Sequence, residues 1–123
     1  MRLGVVTICA RRGQKEGNLQ KIIRFAEMAA EEGCRLAVFP EYTINGPWVS
    51  YDPDARAGDL RQDAEAIPGP TTDMLREHAR RLGIALCAGL AERGLTGTPF
   101  NTQVTVDAAG VLHKQRKLQP TIS

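Results

Sequence analysis

Two residues combine the right side chain with the right place to do chemistry. Glu41 follows Phe39-Pro40 directly after a short apolar run, and ligands of open α/β sheets gather beyond the carboxyl ends of strands. Lys117 stands in Lys114-Gln115-Arg116-Lys117-Leu118, where the last such run ends. A carboxylate so placed can take and return a proton, and a fixed ammonium can stabilise an anion as it forms. Taken singly, each is more often a solvated surface charge. The thiols are Cys9, Cys34 and Cys87. Their odd number and spacing fit no metal site, and they read as reduced cysteines that mostly fill core space. His78 lies on the apolar stripe of a helix and reads as a packing residue. His113 alternates with Leu112 in a strand, with no role indicated. Gly46-Pro47-Trp48-Val49-Ser50-Tyr51 either lines a substrate pocket or covers core surface.

These groups need elements to hold them. Leu3 to Ala10 is rich in Val and Ile and reads as a strand covered on both faces. Leu19, Ile22, Ile23, Ala26, Ala29 and Ala30 recur at helical spacing, with Asn18 as the expected cap and Gly33 as the stop. Arg35 to Phe39 reads as a second strand, so strand, helix and strand imply a parallel, right-handed crossover. Residues 41–70 carry breakers at Asn45-Gly46-Pro47, Asp52-Pro53 and Pro68-Gly69-Pro70, with a short helix expected over Leu60 to Ala66. A second helix is expected over Thr72 to Leu82, with Leu75, His78, Ala79 and Leu82 inward. Ile84 to Ala88 follows as a third strand. Asn101 to Val106 and Val111 to Arg116, joined by Asp107-Ala108-Ala109-Gly110, predict an antiparallel hairpin.

The chain has 123 residues, enough for one domain or part of one. A net charge of +2, with basic and acidic residues interleaved, excludes a nucleic-acid partner. No apolar run approaches the roughly 20 residues that span a bilayer, so no membrane association is expected. Arg11-Arg12 after the first strand argues against a signal peptide, and a cytoplasmic protein is expected. Ala10-Arg11-Arg12-Gly13-Gln14 lacks the glycine pattern that cradles phosphate.

Read together, two segments carry a family resemblance. Ala37-Val38-Phe39-Pro40-Glu41-Tyr42 resembles the catalytic-glutamate segment of the nitrilase superfamily of carbon–nitrogen hydrolases. Arg116-Lys117-Leu118-Gln119-Pro120-Thr121 is similar to its catalytic-lysine segment, especially as written in the nitrilase branch. The order of elements between them agrees, and the resemblance runs from Leu3 to Thr121. It implies an α/β fold, a partial αββα sandwich with its C-terminal half missing. Residues 1–123 would be the N-terminal part of a single hydrolase domain. It also implies a Glu–Lys–Cys triad acting on small nitriles or amides, with Glu41 as general base, Lys117 stabilising the intermediate, and neither metal nor other cofactor. The family's nucleophilic cysteine lies downstream of the lysine segment. None of the three cysteines present has its context, although Cys9 ends the first strand near the expected site. Family members commonly pair through helices that flank the site, so a homo-oligomer is expected. Two functional classes remain open at this point. One is a hydrolase completed by a thiol from elsewhere and inactive without it. The other is a non-catalytic remnant or partner subunit that binds through the same surface.

Overall fold

The computed structural model describes residues 1–46 and 60–118. Trp48 with its neighbours, Asp52-Pro53 and Gln119-Pro120-Thr121 lie outside the described residues. Five strands and two main helices follow in the order β1 (Leu3–Val5), α1 (Lys15–Glu31), β2 (Leu36–Val38), α2 (Pro70–Leu82), β3 (Ala85–Arg93), β4 (Pro99–Asp107) and β5 (Gly110–Arg116). They form one sheet in sequential order. β1, β2 and β3 pair in parallel, while β3–β4 and β4–β5 are antiparallel.

Helix periodicity decides which face of the sheet is covered. α1 buries Leu19, Ile22, Ile23, Ala26 and Ala29, and α2 buries Leu75 and Ala79. These side chains join Ala37, Leu86, Ala88, Leu90, Val104 and Val106 of the sheet in one core. Both helices therefore lie on the same face. α2 starts at Pro70, where a missing N–H costs nothing, and the Thr72 hydroxyl accepts the Gly69 N–H at 2.8 Å. Gly83 closes it with φ 69°. His78, expected inward, is only half-buried and sits 3.1 Å from an Arg81 guanidinium nitrogen.

Four expectations are corrected. β1 ends at Val5, not Ala10, and is covered on one face only: Leu3 is 50% and Val5 77% exposed. Its ladder has one further bond, Val6 N–H to the Val38 carbonyl at 2.9 Å. Beyond that, β2 turns away at Pro40, which has no N–H to offer. Asn18 is not a helix cap. Gln14 precedes the helix, and Asn18 is buried within it. Its carboxamide takes the Arg11 N–H at 2.7 Å and donates to the carbonyls of Arg11 at 2.7 Å and Ile44 at 3.0 Å. Nor do the cysteines mostly fill the core: Cys34 is buried, Cys87 half-buried and Cys9 exposed. β3 also runs five residues past its expected end, because β4 offers it a partner as far as Arg93 opposite Pro99.

Candidate active site

Strand direction gathers the polar groups. With β1, β2, β3 and β5 running one way and β4 the other, the carboxyl ends of four strands and the amino end of the fourth-formed one share an edge. Glu41 follows β2 at that edge, Lys117 follows β5, and Asn101 lies near the start of β4.

Glu41 rides on a turn that the protein builds rigidly. Thr43, Ile44 and Asn45 are each no more than 1% exposed. Phe39 N–H donates to the Cys87 carbonyl at 2.8 Å and Ile44 N–H to the Gly89 carbonyl at 3.0 Å, so β3 carries both ends of the turn. The Thr43 hydroxyl donates to the Pro40 carbonyl, and the Asn45 side-chain oxygen accepts the Ala91 N–H at 2.8 Å. Tyr42 takes a φ of 53°, a left-handed conformation that such a residue adopts only under constraint. Gly89 makes room beneath. A Cβ there would stand 2.5 Å from Tyr42 N and 3.0 Å from the Pro40 carbonyl oxygen.

Lys117 is held from the other side. Its N–H donates to the Asn101 carbonyl at 2.7 Å. Successive strand residues point to opposite faces, and Arg116 accordingly turns toward the helix-bearing face. There the buried Glu92 accepts Arg116 Nε at 2.8 Å, Lys114 Nζ at 2.5 Å and the Thr102 hydroxyl at 2.9 Å. Arg116 also lies 4.0 Å above the Phe100 ring. These bonds hold the Glu92 carboxyl down at about 2, Arg116 contributing most, against the opposing effect of burial. The anchor fixes the strand end from which Lys117 projects.

On the open face the two sequence candidates meet. Lys117 Nζ lies 2.9 Å from Glu41 Oε1, and the Asn101 amide donates to the same oxygen. The Lys117 hydrogen bond, followed by that of Asn101, holds the Glu41 carboxyl below its ordinary value although partial burial pushes it up. Glu41 is therefore ionised at neutral pH and available as a proton acceptor. A cavity of about 360 Å³ is lined by Glu41, Asn101, Gln103, Gln115 and Lys117. A second, of about 290 Å³, is lined by Ile8, Cys9, Ala10, Pro40, Glu41 and Thr43. Cys9 thus shares a cavity with Glu41, whereas Cys34 packs in the core below α1 and β2. Among the described residues no group of three or more His, Cys, Asp or Glu side chains could hold a metal ion. No helix among them is long and apolar enough to cross a membrane.

Glu41 and Lys117 stand out in the sequence, whereas the groups that place them, Asn101, Gln103, Gly89 and Glu92, do not. A signal existed for two of these. Asn101 and Gln103 are polar at alternate positions of a strand whose other face, Thr102 and Val104, is buried, as a strand facing a polar cleft requires.

The carbon–nitrogen hydrolase family pattern matches residues 2–121. A nitrilase from Paraburkholderia phymatum is 35% identical over 112 residues, which cover 85% of this chain and 33% of that protein. In shape, the chain is similar to an amidase from Nesterenkonia sp., with a TM-score of 0.75 at 25% identity, covering 100% of this chain and 44% of the amidase. It is also similar to a mutant of the amidase from Nesterenkonia sp. AN1 that shows Michael addition of acrylamide at the active-site cysteine. That match has a TM-score of 0.72 at 25% identity and covers 97% and 44% of the two chains. The chain spans about a third of the nitrilase and under half of the amidase.

Proposed function

This chain belongs to the carbon–nitrogen hydrolase family, and we propose that it carries the proton-transfer and charge-stabilising part of a site that hydrolyses small nitriles or amides. The observation behind this reading is the convergence of Glu41 and Lys117, 76 residues apart in sequence and 2.9 Å apart in space. The nucleophile is a thiol supplied by polypeptide outside residues 1–123, which form the N-terminal part of one hydrolase domain. In the similar amidase from Nesterenkonia sp. AN1, a mutant carries the product of Michael addition of acrylamide at its active-site cysteine, which supports a thiol in this role.

The residue types suit the chemistry. A thiol with a pKa near ~8.5 is mostly protonated at neutral pH and needs a base. Glu41 takes the S–H proton, and the sulfur lone pair forms a C–S bond to the amide carbon. The carbonyl π pair moves onto oxygen, where the Lys117 ammonium stabilises it. As that pair returns, the C–N bond breaks, and the nitrogen takes the proton from Glu41 and leaves as ammonia. Water then adds to the thioester with Glu41 accepting its proton, the C–S bond breaks, and the sulfur is reprotonated as the acid departs. A nitrile needs one further water, which enters at the thioimidate.

Ammonia release from a panel of short nitriles and amides, measured on the native gene product, tests this. Glu41→Gln is expected to lower turnover about 10²–10⁴-fold and Lys117→Ala about 10²–10³-fold. Activity that survives both substitutions would remove these residues from the mechanism.

A further inference from the structure

Both hydrogen-bond donors to Glu41 come to one oxygen. Lys117 Nζ and the Asn101 amide both address Oε1, and among the described residues no donor reaches Oε2. A carboxylate oxygen offers about two lone pairs, so Lys117 and Asn101 fill Oε1, while Oε2 accepts from none of the described residues. Asn101 has a second hold on the site through its backbone, whose carbonyl accepts the Lys117 N–H at 2.7 Å. One residue of β4 therefore ties down the carboxylate by its side chain and the lysine by its main chain. Two residues on, Gln103 points to the same face and donates to the Phe39 carbonyl at 2.9 Å, steadying the chain just before Glu41. Among the described residues, the charged and titratable groups facing Glu41 are Lys117 beyond β5 and Cys9 beyond β1, which shares the smaller cavity.

We propose that Asn101 is a positioning residue: its amide and Lys117 together saturate Oε1 of Glu41, which makes Oε2 the oxygen that takes and returns the proton. The inference rests on the reading of Glu41 as general base. It gives the neutral amide a task that lysine alone cannot perform. A single donor lets a carboxylate rotate and exchange its oxygens. Two donors from different strands fix the plane of the group and leave one oxygen directed at the cavity. The thiol proton goes to Oε2, and the same oxygen later gives it to the departing nitrogen, so Oε1 keeps its two hydrogen bonds while the carboxyl passes from charged to neutral and back.

Asn101→Leu and Asn101→Ala test this, because either removes the amide and leaves the backbone bond to Lys117 in place. Carbon-detected NMR titration of the Glu41 carboxyl follows the effect directly, with Glu41→Gln identifying the resonance. Loss of one of two donors is expected to raise the Glu41 midpoint by roughly half to one pH unit, with the thermal midpoint changed by no more than a few degrees. Asn101→Asp is expected to raise it further and split it into two coupled steps, since two carboxylates then share the site. A Glu41 midpoint unmoved in the folded Leu, Ala and Asp variants would overturn the proposal, whatever the activity. A midpoint that moves as expected, while Glu41→Gln retains ammonia release in the native gene product, would instead overturn the reading of Glu41 as base and the proton route with it.

Discussion

Replacing Gly89 with alanine is the sharpest test of how the Glu41 turn is supported. Gly89 lies in β3 without a positive φ, so alanine can adopt its backbone conformation and the penalty is purely one of space. The new methyl carbon would stand 2.5 Å from Tyr42 N, 2.8 Å from the Gln103 side-chain oxygen and 3.0 Å from the Pro40 oxygen, where ordinary contact begins at 3.4 Å. Gln103 can swing aside. The two backbone atoms can yield only by lifting the turn, and Tyr42 N must retreat by roughly 0.9 Å to reach that ordinary contact. Overpacking of this kind costs about 1–3 kcal/mol, offset by the ~0.5–1 kcal/mol gained when glycine leaves a strand. The net loss of about 1–2 kcal/mol corresponds to a thermal midpoint lower by roughly 4–12 °C. Lifting the turn also draws Glu41 from Lys117, so its titration midpoint rises toward the ordinary carboxylate value. Thermal unfolding and the Glu41 carboxyl titration measure the two effects. Gly17→Ala is the control. Its Cβ meets nothing closer than 3.9 Å, and as a helical glycine its replacement should stabilise by ~0.5–1 kcal/mol. A Gly89→Ala protein as stable as its parent, with Glu41 titrating unchanged, would refute the account of the turn.

Further expectations follow from the charged and buried groups. Glu92 titrates at about 2 in the folded protein against an ordinary value of 4.5. Its contribution is therefore complete above pH 4.5 and lost as pH falls through about 2. It amounts to at most about 3 kcal/mol, less because its cationic partners are partly solvated. Denaturation between pH 6 and pH 2 should thus be less steep in acid for Glu92→Gln than for the parent, and parallel curves would count against this. Lys117→Met removes the main cause of the lowered Glu41 carboxyl, so NMR titration should show the midpoint rising; an unchanged midpoint would mean the ion pair does not form in solution. Asn18→Leu strands the Arg11 N–H and two carbonyls that now share its carboxamide. A loss of about 2–4 kcal/mol is expected in urea unfolding, and a loss under 1 kcal/mol would show that water replaces those bonds.

Periodicity made the covered face of the sheet legible. Leu19 to Ala29 in α1 and Leu75 with Ala79 in α2 announce their buried stripe by spacing alone, and the turn Asp107 to Gly110 announces the β4–β5 hairpin. The limits of β1 and β3 were not legible, because a strand lasts as long as its neighbour can pair with it. β1 stops where Pro40 ends its partner, and β3 persists where β4 accompanies it. Glu41 and Lys117 stood out through the segments around them, not through their own chemistry. Asn101 and Glu92 escaped notice because their work depends on partners that only the sheet brings near. Asn18 misled for a related reason: an asparagine at a helix start usually serves the helix, but this one serves the loop before it and the turn at Ile44.

The sheet order has a consequence for the sequence of events in folding. Contacts within β1–α1–β2 close over shorter stretches of chain, whereas Glu41 and Lys117 stand 76 positions apart and meet through the pairing of β3, β4 and β5. Long closures come late, because chain entropy is lost before the contact repays it. The carboxylate thus spends the early stages of folding without its cation. It can do so at little cost, since its side chain remains 54% exposed even in the finished structure and water serves as its counterpart until the lysine arrives. Ile44 and Asn45, fully buried a few residues on, set the turn without reference to that pairing. The protein can therefore complete its scaffold first and join the two charges last.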